Sequence, residues 1–315
     1  MFSLSRSGPL PISRRRFLLG AALGLPVAAQ EPRFSTDVSV VTLLATVRDR
    51  DGRIVKDLDR DDFVLKEDGV VQTIRHFSRE SGLPLTVGLL VDTSHSQTGV
   101  IEQERTASYT FLDQVLRKDD QAFVARFDVD VEVTQGFTNS RDDLRAALIQ
   151  LKVPGRIATL LYTAVRECSE NMMRRRTGRK AYILLSDGVA FRDHTPLETA
   201  IEYAQVADTL IYSILFADHP KIYRPGRAAV TGIAAKHGRD TMRRLAAETG
   251  GAYFEVTEQR PIEKIYAEIE DALRSQYSLG YTPGRADTNG KYRKIELTVK
   301  RPGLIVQTRD GYYPK

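Results

Sequence analysis

One apolar stretch near the end of the first third of the chain restricts the fold more than any other. Residues 85–92 read Leu-Thr-Val-Gly-Leu-Leu-Val-Asp, with Pro84 before them and hydroxyl groups at Ser94 and Ser96 after them. A short, continuous apolar run with such borders predicts a strand that is buried on both faces of a parallel sheet. Ligands of open α/β sheets bind beyond the carboxyl ends of the strands, and Asp92 is expected at that edge.

Strand and helix patterns alternate between residues 84 and 276. Helical apolar faces surround Phe111 and Ile265, and the other strand patterns lie at 122–127, 131–133, 181–185, 210–216 and 252–256. This alternation predicts a doubly wound, mostly parallel sheet of the Rossmann-like α/β class. We therefore expect an α/β domain over residues 84–276.

The segments on either side of this domain contain only short alternating strands and tight turns. Residues 30–83 and 277–315 are each too short to bury a good core alone. We expect the two segments to pair into one small β-sandwich in which the α/β domain is inserted. Two separate small sheets are the alternative.

The first 29 residues have the composition of an export signal. Arg14, Arg15 and Arg16 precede a short apolar run that begins at Phe17 and ends in small residues. This order predicts a cleaved signal peptide, and the arginines followed by Phe17 resemble a bacterial twin-arginine signal. An ordinary Sec signal is the alternative, and either route predicts a periplasmic or extracellular protein of a bacterium.

The net charge of the chain depends on this leader. Of the 46 basic residues four precede residue 30, so that 42 basic residues face 41 acidic ones after cleavage. A nearly neutral chain gives no reason to expect nucleic acid as a partner. No transmembrane segment is expected in the mature chain, and the single cysteine, Cys168, excludes an internal disulfide.

Three residues at and just after the end of the strand pattern 85–92 offer oxygen ligands. Asp92, Ser94 and Ser96 supply a carboxylate and two hydroxyls. Hard oxygen donors are the set that Mg²⁺ prefers. The pattern therefore predicts a divalent-metal site at the edge of the sheet.

Three elements along the chain resemble those of von Willebrand factor type A domains. Asp92, Ser94 and Ser96 match the Asp-x-Ser-x-Ser element, Thr159 lies in a segment similar to the threonine loop, and Asp187 begins an Asp-Gly pair after a strand. Residues 156–158 read Arg-Ile-Ala where the family often has glycines. The flanking β segments also resemble exported bacterial proteins called VWFA-related domain proteins.

The resemblance implies a metal-ion-dependent adhesion site. Mg²⁺ or Mn²⁺ would be held by Asp92, Ser94, Ser96, Thr159 and Asp187, with one position left for an anionic oxygen. It implies a binding protein rather than an enzyme, whose partner is a protein or a surface polymer that presents an Asp or Glu carboxylate.

Other interpretations of these and neighbouring residues remain open. The site could hold a structural metal in an envelope scaffold, and Ser94 could simply cap a helix. Asp128 and Asp130 match an Asp-x-Asp phosphotransfer motif, although a hairpin turn explains them as well. Residues 218–239 lack a helical period and predict a long basic loop on the side of the metal site.

Overall fold

The computed structural model describes residues 40–79, 83–153, 157–216, 228–284 and 290–314. The predicted signal peptide, residues 1–29, lies outside the described residues. None of the helices in the described ranges combines the length and the apolar character that a membrane crossing requires.

Strands and helices alternate through the middle of the chain, and strands alone occupy its ends. The strands are β1 (Val41–Arg48), β2 (Phe63–Glu67), β3 (Val70–Gln72), β4 (Ile74–Arg79), β5 (Leu85–Asp92), β6 (Gln121–Phe127), β7 (Val131–Thr138), β8 (Arg179–Ser186), β9 (Leu210–Leu215), β10 (Tyr253–Glu255), β11 (Tyr277–Tyr281), β12 (Arg293–Val299), β13 (Ile305–Gln307) and β14 (Gly311–Tyr312). The α-helices are α1 (Ile101–Val115), α2 (Arg141–Gln150), α3 (Leu161–Cys168), α4 (Leu197–Val206), α5 (Ala228–Thr249) and α6 (Ile262–Arg274).

The central sheet has six strands in the order β10-β9-β8-β5-β6-β7. All neighbours in it are parallel except β6 and β7, which form an antiparallel hairpin. Every residue of β5 is buried, as expected for a strand covered on both faces. Helices α1, α2 and α6 pack on one face, and α3, α4 and α5 pack on the other. This architecture confirms the predicted doubly wound α/β fold.

Two four-stranded antiparallel sheets lie outside the central sheet. Their orders are β13-β1-β11-β4 and β14-β12-β2-β3, so each combines strands from both ends of the chain. Side chains from both sheets, including Leu43, Leu65, Leu279 and Leu297, form one hydrophobic core. The ends therefore form a single sandwich, and the alternative of two separate small sheets is wrong. The domain boundaries 30–83, 84–276 and 277–315 remain our proposed division of the chain.

The alternating pattern over residues 70–77 predicts one strand, but the structure has two. Strand β3 pairs with β2 in one sheet of the sandwich, whereas β4 pairs with β11 in the other. A chain that crosses between packed sheets must interrupt its pairing at the corner.

The predicted basic loop over residues 218–239 is wrong in its second half. Helix α5 begins at Ala228 and continues to Thr249. Residues 218–227 lie outside the described residues. The helix has glycines at positions 232 and 238, which interrupt the apolar period and lower the local helix propensity.

A buried carboxylate joins the two ends of the chain inside the sandwich. Glu67 of β2 accepts hydrogen bonds from the hydroxyls of Tyr281 and Tyr312, the latter at 2.8 Å. Its other oxygen accepts a hydrogen bond from the guanidinium of Arg293 at 2.9 Å. The pair is almost completely buried, with side chains 6% and 9% exposed. Each partner is more than 200 residues away in sequence, so these bonds exist only when the sandwich is formed.

We predict that Glu67→Ala lowers the free energy of unfolding by about 3–5 kcal/mol, because it leaves a buried guanidinium and two buried hydroxyls without their acceptor. Denaturant unfolding measures this loss. Glu296→Ala on β12 removes an exposed carboxylate instead and should cost less than about 0.5 kcal/mol. Equal losses for the two variants would contradict the importance of the buried cluster.

Candidate metal centre

The ends of two neighbouring strands bring the two acidic elements together. Strands β5 and β8 are parallel and adjacent, with Val91 opposite Leu185. Asp92 and Asp187 follow these residues and therefore emerge at the same edge of the sheet. The Ser186 hydroxyl donates a hydrogen bond of 2.6 Å to Oδ2 of Asp92, which joins the two strand ends directly.

The loop after β5 folds back over its own acid. The backbone N–H of Ser94 donates to Oδ1 of Asp92 at 2.9 Å, and the hydroxyl oxygens of Ser94 and Ser96 lie 3.1 Å apart. Ser94 precedes a 3₁₀ turn, His95–Gln97, but its side chain makes no capping hydrogen bond. The helix-cap interpretation of Ser94 is therefore wrong, and its hydroxyl faces that of Ser96.

Burial decreases across these residues from the sheet to the surface. Asp92 is 0% exposed and Ser94 is 5% exposed. Asp187 is half-buried, and Ser96 is exposed. The group therefore has a buried carboxylate at its base and a hydroxyl at its rim, where the described residues leave Ser96 exposed to solvent.

The charge of Asp92 has no cation beside it among the described side chains. Burial and the nearby charge of Asp187 together raise the pKa of Asp92 to about 7, although hydrogen bonds from Ser186 and Ser94 act to lower it. Two carboxylates that share a buried edge disfavour each other's ionisation. A divalent cation between them would remove this repulsion.

Thr159 lies in a separate loop that is tied to the same edge. It forms an isolated antiparallel bridge with Phe191, with N–H···O distances of 2.9 and 3.1 Å. The N–H of Leu160 donates to the carbonyl of Asp128, and the carboxylate of Asp128 accepts a hydrogen bond from the Thr93 hydroxyl. Thr159 is 7% exposed. The loop of Thr159 is thus held through Asp128 to the residue that follows Asp92.

Asp128 and Asp130 occupy the turn of the β6–β7 hairpin, as the turn interpretation predicts. The N–H of Asp128 donates to the carbonyl of Asp130 at 3.0 Å. The Asp128 carboxylate is buried and accepts hydrogen bonds from Thr93 and Arg126 at 2.7 and 2.8 Å. Because its oxygens hold neighbouring loops, Asp128 has a positioning role in this structure.

Two glycine backbones in contact set the position of the turn after Asp187. Gly188 has a φ of +76°, and a Cβ atom on it would lie 2.3 Å from the carbonyl oxygen of Gly238 in α5. Conversely, a Cβ atom on Gly238 would lie 2.3 Å from the carbonyl oxygen of Asp187. Only glycine permits this approach. Helix α5 therefore fixes the Asp187 backbone by direct contact.

The oxygen donors at this edge fit a hard divalent cation. The structure brings together Asp92, Asp187, Ser94 and Ser96. The loop of Thr159 is joined to them through the hydrogen bonds of Asp128. Among the residues that the structure describes, no group of three or more His, Cys, Asp and Glu side chains is arranged to hold a metal ion. A site here would therefore depend on the serine and threonine hydroxyls as ligands, which suits Mg²⁺ and Mn²⁺ better than metals that prefer nitrogen or sulfur.

Sequence patterns missed two polar groups at this site. Ser186 bonds to Asp92, and its place directly before Asp187 at the end of a strand was the available signal. Glu104 lies on the buried face of α1 and is 1% exposed. Its signal was a charged residue in helical register with Ala107 and Phe111, three and seven positions later on the apolar face.

No family model matches the sequence, and a search of curated proteins finds no match. Solved structures do match. Proximal thread matrix protein 1 from the mussel byssus superposes with a TM-score of 0.50 at 13% identity, over 66% of this chain and 51% of that one. The match therefore spans about half the length of the byssus protein.

Two further solved structures match over a similar part of the chain. A form of the byssus protein described as having a zinc-occupied MIDAS motif gives a TM-score of 0.46 at 12% identity, over 62% of this chain and 49% of that one. The vWF domain of the type V pili tip protein Mfa5 from Porphyromonas gingivalis also gives 0.46, at 13% identity, over 61% and 95%. The central domain has a von Willebrand factor A-like fold, as the three motif elements predict.

Proposed function

We propose that this protein is an exported bacterial binding protein that holds a partner through a divalent cation. Asp92, Ser94, Ser96, Thr159 and Asp187 are the proposed residues of the site, and Mg²⁺ or Mn²⁺ is the proposed ion. The partner is a protein or a surface polymer that presents an Asp or Glu carboxylate. In this proposal the chain carries out no chemical reaction.

A single observation supports the proposal above the others. Asp92 is completely buried beside a second carboxylate, and no cationic side chain is among the described groups that shift its pKa. Buried charges in proteins are normally paired or coordinate a metal. The hydroxyls of Ser94 and Ser96 lie at the same place and offer further oxygen ligands.

Different residues of the chain hold the two acids of the proposed site in position. Ser186 and the Ser94 N–H orient the carboxylate of Asp92, and Gly188 and Gly238 fix the backbone of Asp187. When bound, the cation would supply the positive charge that attracts an anionic oxygen from the partner. Because the exposed Ser96 offers a neutral hydroxyl at the rim, less negative charge opposes the approach of that oxygen than a carboxylate at the same place would present.

The Asp-x-Asp phosphotransfer alternative receives no support from the structure. Thr93 and Arg126 both bind the carboxylate of Asp128, and the pair lies in a hairpin turn. We therefore keep binding as the proposed role.

An envelope scaffold with a structural metal is the second candidate function. The complete burial of Asp92 favours it, because an ion that neutralises a buried charge must stabilise the fold to some degree. The two candidates differ in what happens when the ion is removed.

We predict that Asp92→Asn weakens Mg²⁺ binding, measured by titration calorimetry, by more than the 10–100-fold that loss of an outer-shell partner typically causes. The fold should survive, since the change removes a buried charge that has no counter-ion. Asp119→Asn is the matched control, because this exposed acid lies just before β6 at the opposite edge of the sheet. Unchanged Mg²⁺ binding by Asp92→Asn would contradict the proposed site.

We predict that the wild-type protein binds immobilised polyglutamate in MgCl₂ and releases it in EDTA, because the polymer carboxylates would complete the coordination of the ion. Asp92→Asn should not bind in either buffer, and a polylysine surface serves as the control for charge. Polyglutamate binding that persists in EDTA would contradict metal-dependent adhesion.

Thermal unfolding separates the adhesive and scaffold roles. A tenfold excess of free ion over its Kd stabilises the folded state by about 1.4 kcal/mol, so an adhesive site predicts a shift of a few degrees in EDTA. A scaffold metal predicts loss of the cooperative transition instead.

A further inference from the structure

We propose that Glu104 of helix α1 and Gln97, which follows the loop of Ser94 and Ser96, complete the metal site on its buried side. Their oxygens would accept hydrogen bonds from water molecules bound to the divalent cation. This inference rests on the proposed function, since it requires an ion at Asp92. It adds a third carboxylate to the site, which none of the three sequence motifs contains.

Glu104 is a buried carboxylate without any hydrogen-bond partner among the described residues. Its side chain lies on the core-facing side of α1 with Ala107 and Phe111, and the residue is 1% exposed. Both carboxylate oxygens are buried and make no hydrogen bond. Burial of an unpaired acid is costly, and such groups in proteins are typically found beside a cation or a bound water.

Backbone hydrogen bonds link Glu104 to the loop that carries Ser94 and Ser96: its N–H donates to the carbonyl of Val100 at 3.0 Å, and the N–H of Val100 donates to the carbonyl of Gln97 at 3.0 Å. Burial raises the pKa of Glu104 well above its usual range, and the charges of Asp92 and Asp187 raise it further. No described cationic side chain offsets these effects. The charges of Asp92 and Asp187 therefore act on Glu104, and a divalent cation at the proposed site would offset the negative charge that the three acids contribute.

Gln97 adds a further unused acceptor in the same region. Its side chain is 0% exposed, and its amide nitrogen donates to the Ser96 hydroxyl at 3.3 Å. Its Oε1 atom is buried without a partner. Gln97 and Glu104 thus present three buried acceptor oxygens and need donors. Water molecules bound to Mg²⁺ are donors, and Mg²⁺ readily retains several of them.

A third carboxylate changes the expected behaviour of the site. Two acids would balance the charge of a divalent ion, whereas three leave the filled site with a net negative charge. The ion should therefore be retained more strongly before any partner arrives. Glu104 is a positioning residue in this scheme, because it acts through the ion's water rather than through the partner.

The test compares Glu104→Gln with Glu102→Gln in the full chain. Glu102 lies two residues earlier on α1 with its side chain 81% exposed, which makes it a matched control for a lost charge on the same helix. Titration calorimetry with Mg²⁺ alone should show that Glu104→Gln weakens binding by about 10–100-fold and that Glu102→Gln leaves it unchanged. Wild-type affinity in Glu104→Gln would overturn this inference and leave the proposed function intact. Absence of Mg²⁺ and Mn²⁺ binding by the wild-type protein would overturn the proposed function itself.

Thermal unfolding in EDTA provides a second readout that does not depend on a loaded site. Glu104→Gln removes the cost of burying an ionisable acid without a partner, so its unfolding midpoint should equal or exceed that of the wild type in EDTA. A protonated Glu104 that donates to Gln97 would be purely structural, and Glu104→Leu, which has no donor, would then lower the midpoint, whereas the proposed role predicts no loss for this variant either. A lower midpoint would therefore overturn the inference.

Discussion

Negative charge that is buried without a counter-ion is the constraint around which this structure is arranged. Asp92 ends a fully buried strand of the sheet, and Asp187 directly follows the parallel neighbour of that strand. Repulsion between such acids opposes folding, and the cost is met by the apolar cores on both faces of the sheet. Ser186, Ser94 and the contact between α5 and Gly188 hold the acids in place in spite of this repulsion.

The sandwich and the candidate site lie at opposite ends of the central strands. Strand β4 leads into the amino end of β5, and α6 leads directly into β11, so both connections meet at the amino edge of the sheet. Asp120 joins that edge by accepting hydrogen bonds from the Leu85 N–H and the Arg274 guanidinium, both at 2.7 Å. In the described part of the chain, the sandwich therefore braces the domain from the amino edge and leaves the carboxyl edge uncovered.

Local sequence patterns were sufficient where a single interaction determines the structure. The apolar run of β5 predicted a buried strand because burial on both faces allows nothing else. The patterns failed where a distant contact overrides local preference. Gly238 weakens the helical signal of α5, yet it is required there because the backbone of Asp187 lies against it. The break between β3 and β4 likewise depends on which sheet each strand joins.

The same distinction applies to the site. Asp92, Ser94, Ser96 and Asp187 were predicted because short motifs place them at strand ends, and the structure brings them to one edge. Glu104 could not be assigned, since a single acid on an amphipathic helix gives no indication of what lies opposite it. Its two carboxylate oxygens have no hydrogen-bond partner among the described residues, and they indicate a role at the site only because the charges of Asp92 and Asp187 act on it. In the proposed site the two buried acids, Asp92 and Glu104, then lie on the core side, whereas the neutral hydroxyl of Ser96 lies on the exposed side. A partner's acid would approach the ion from the side where repulsion is weakest, and this asymmetry allows one site both to retain a cation and to bind an anion.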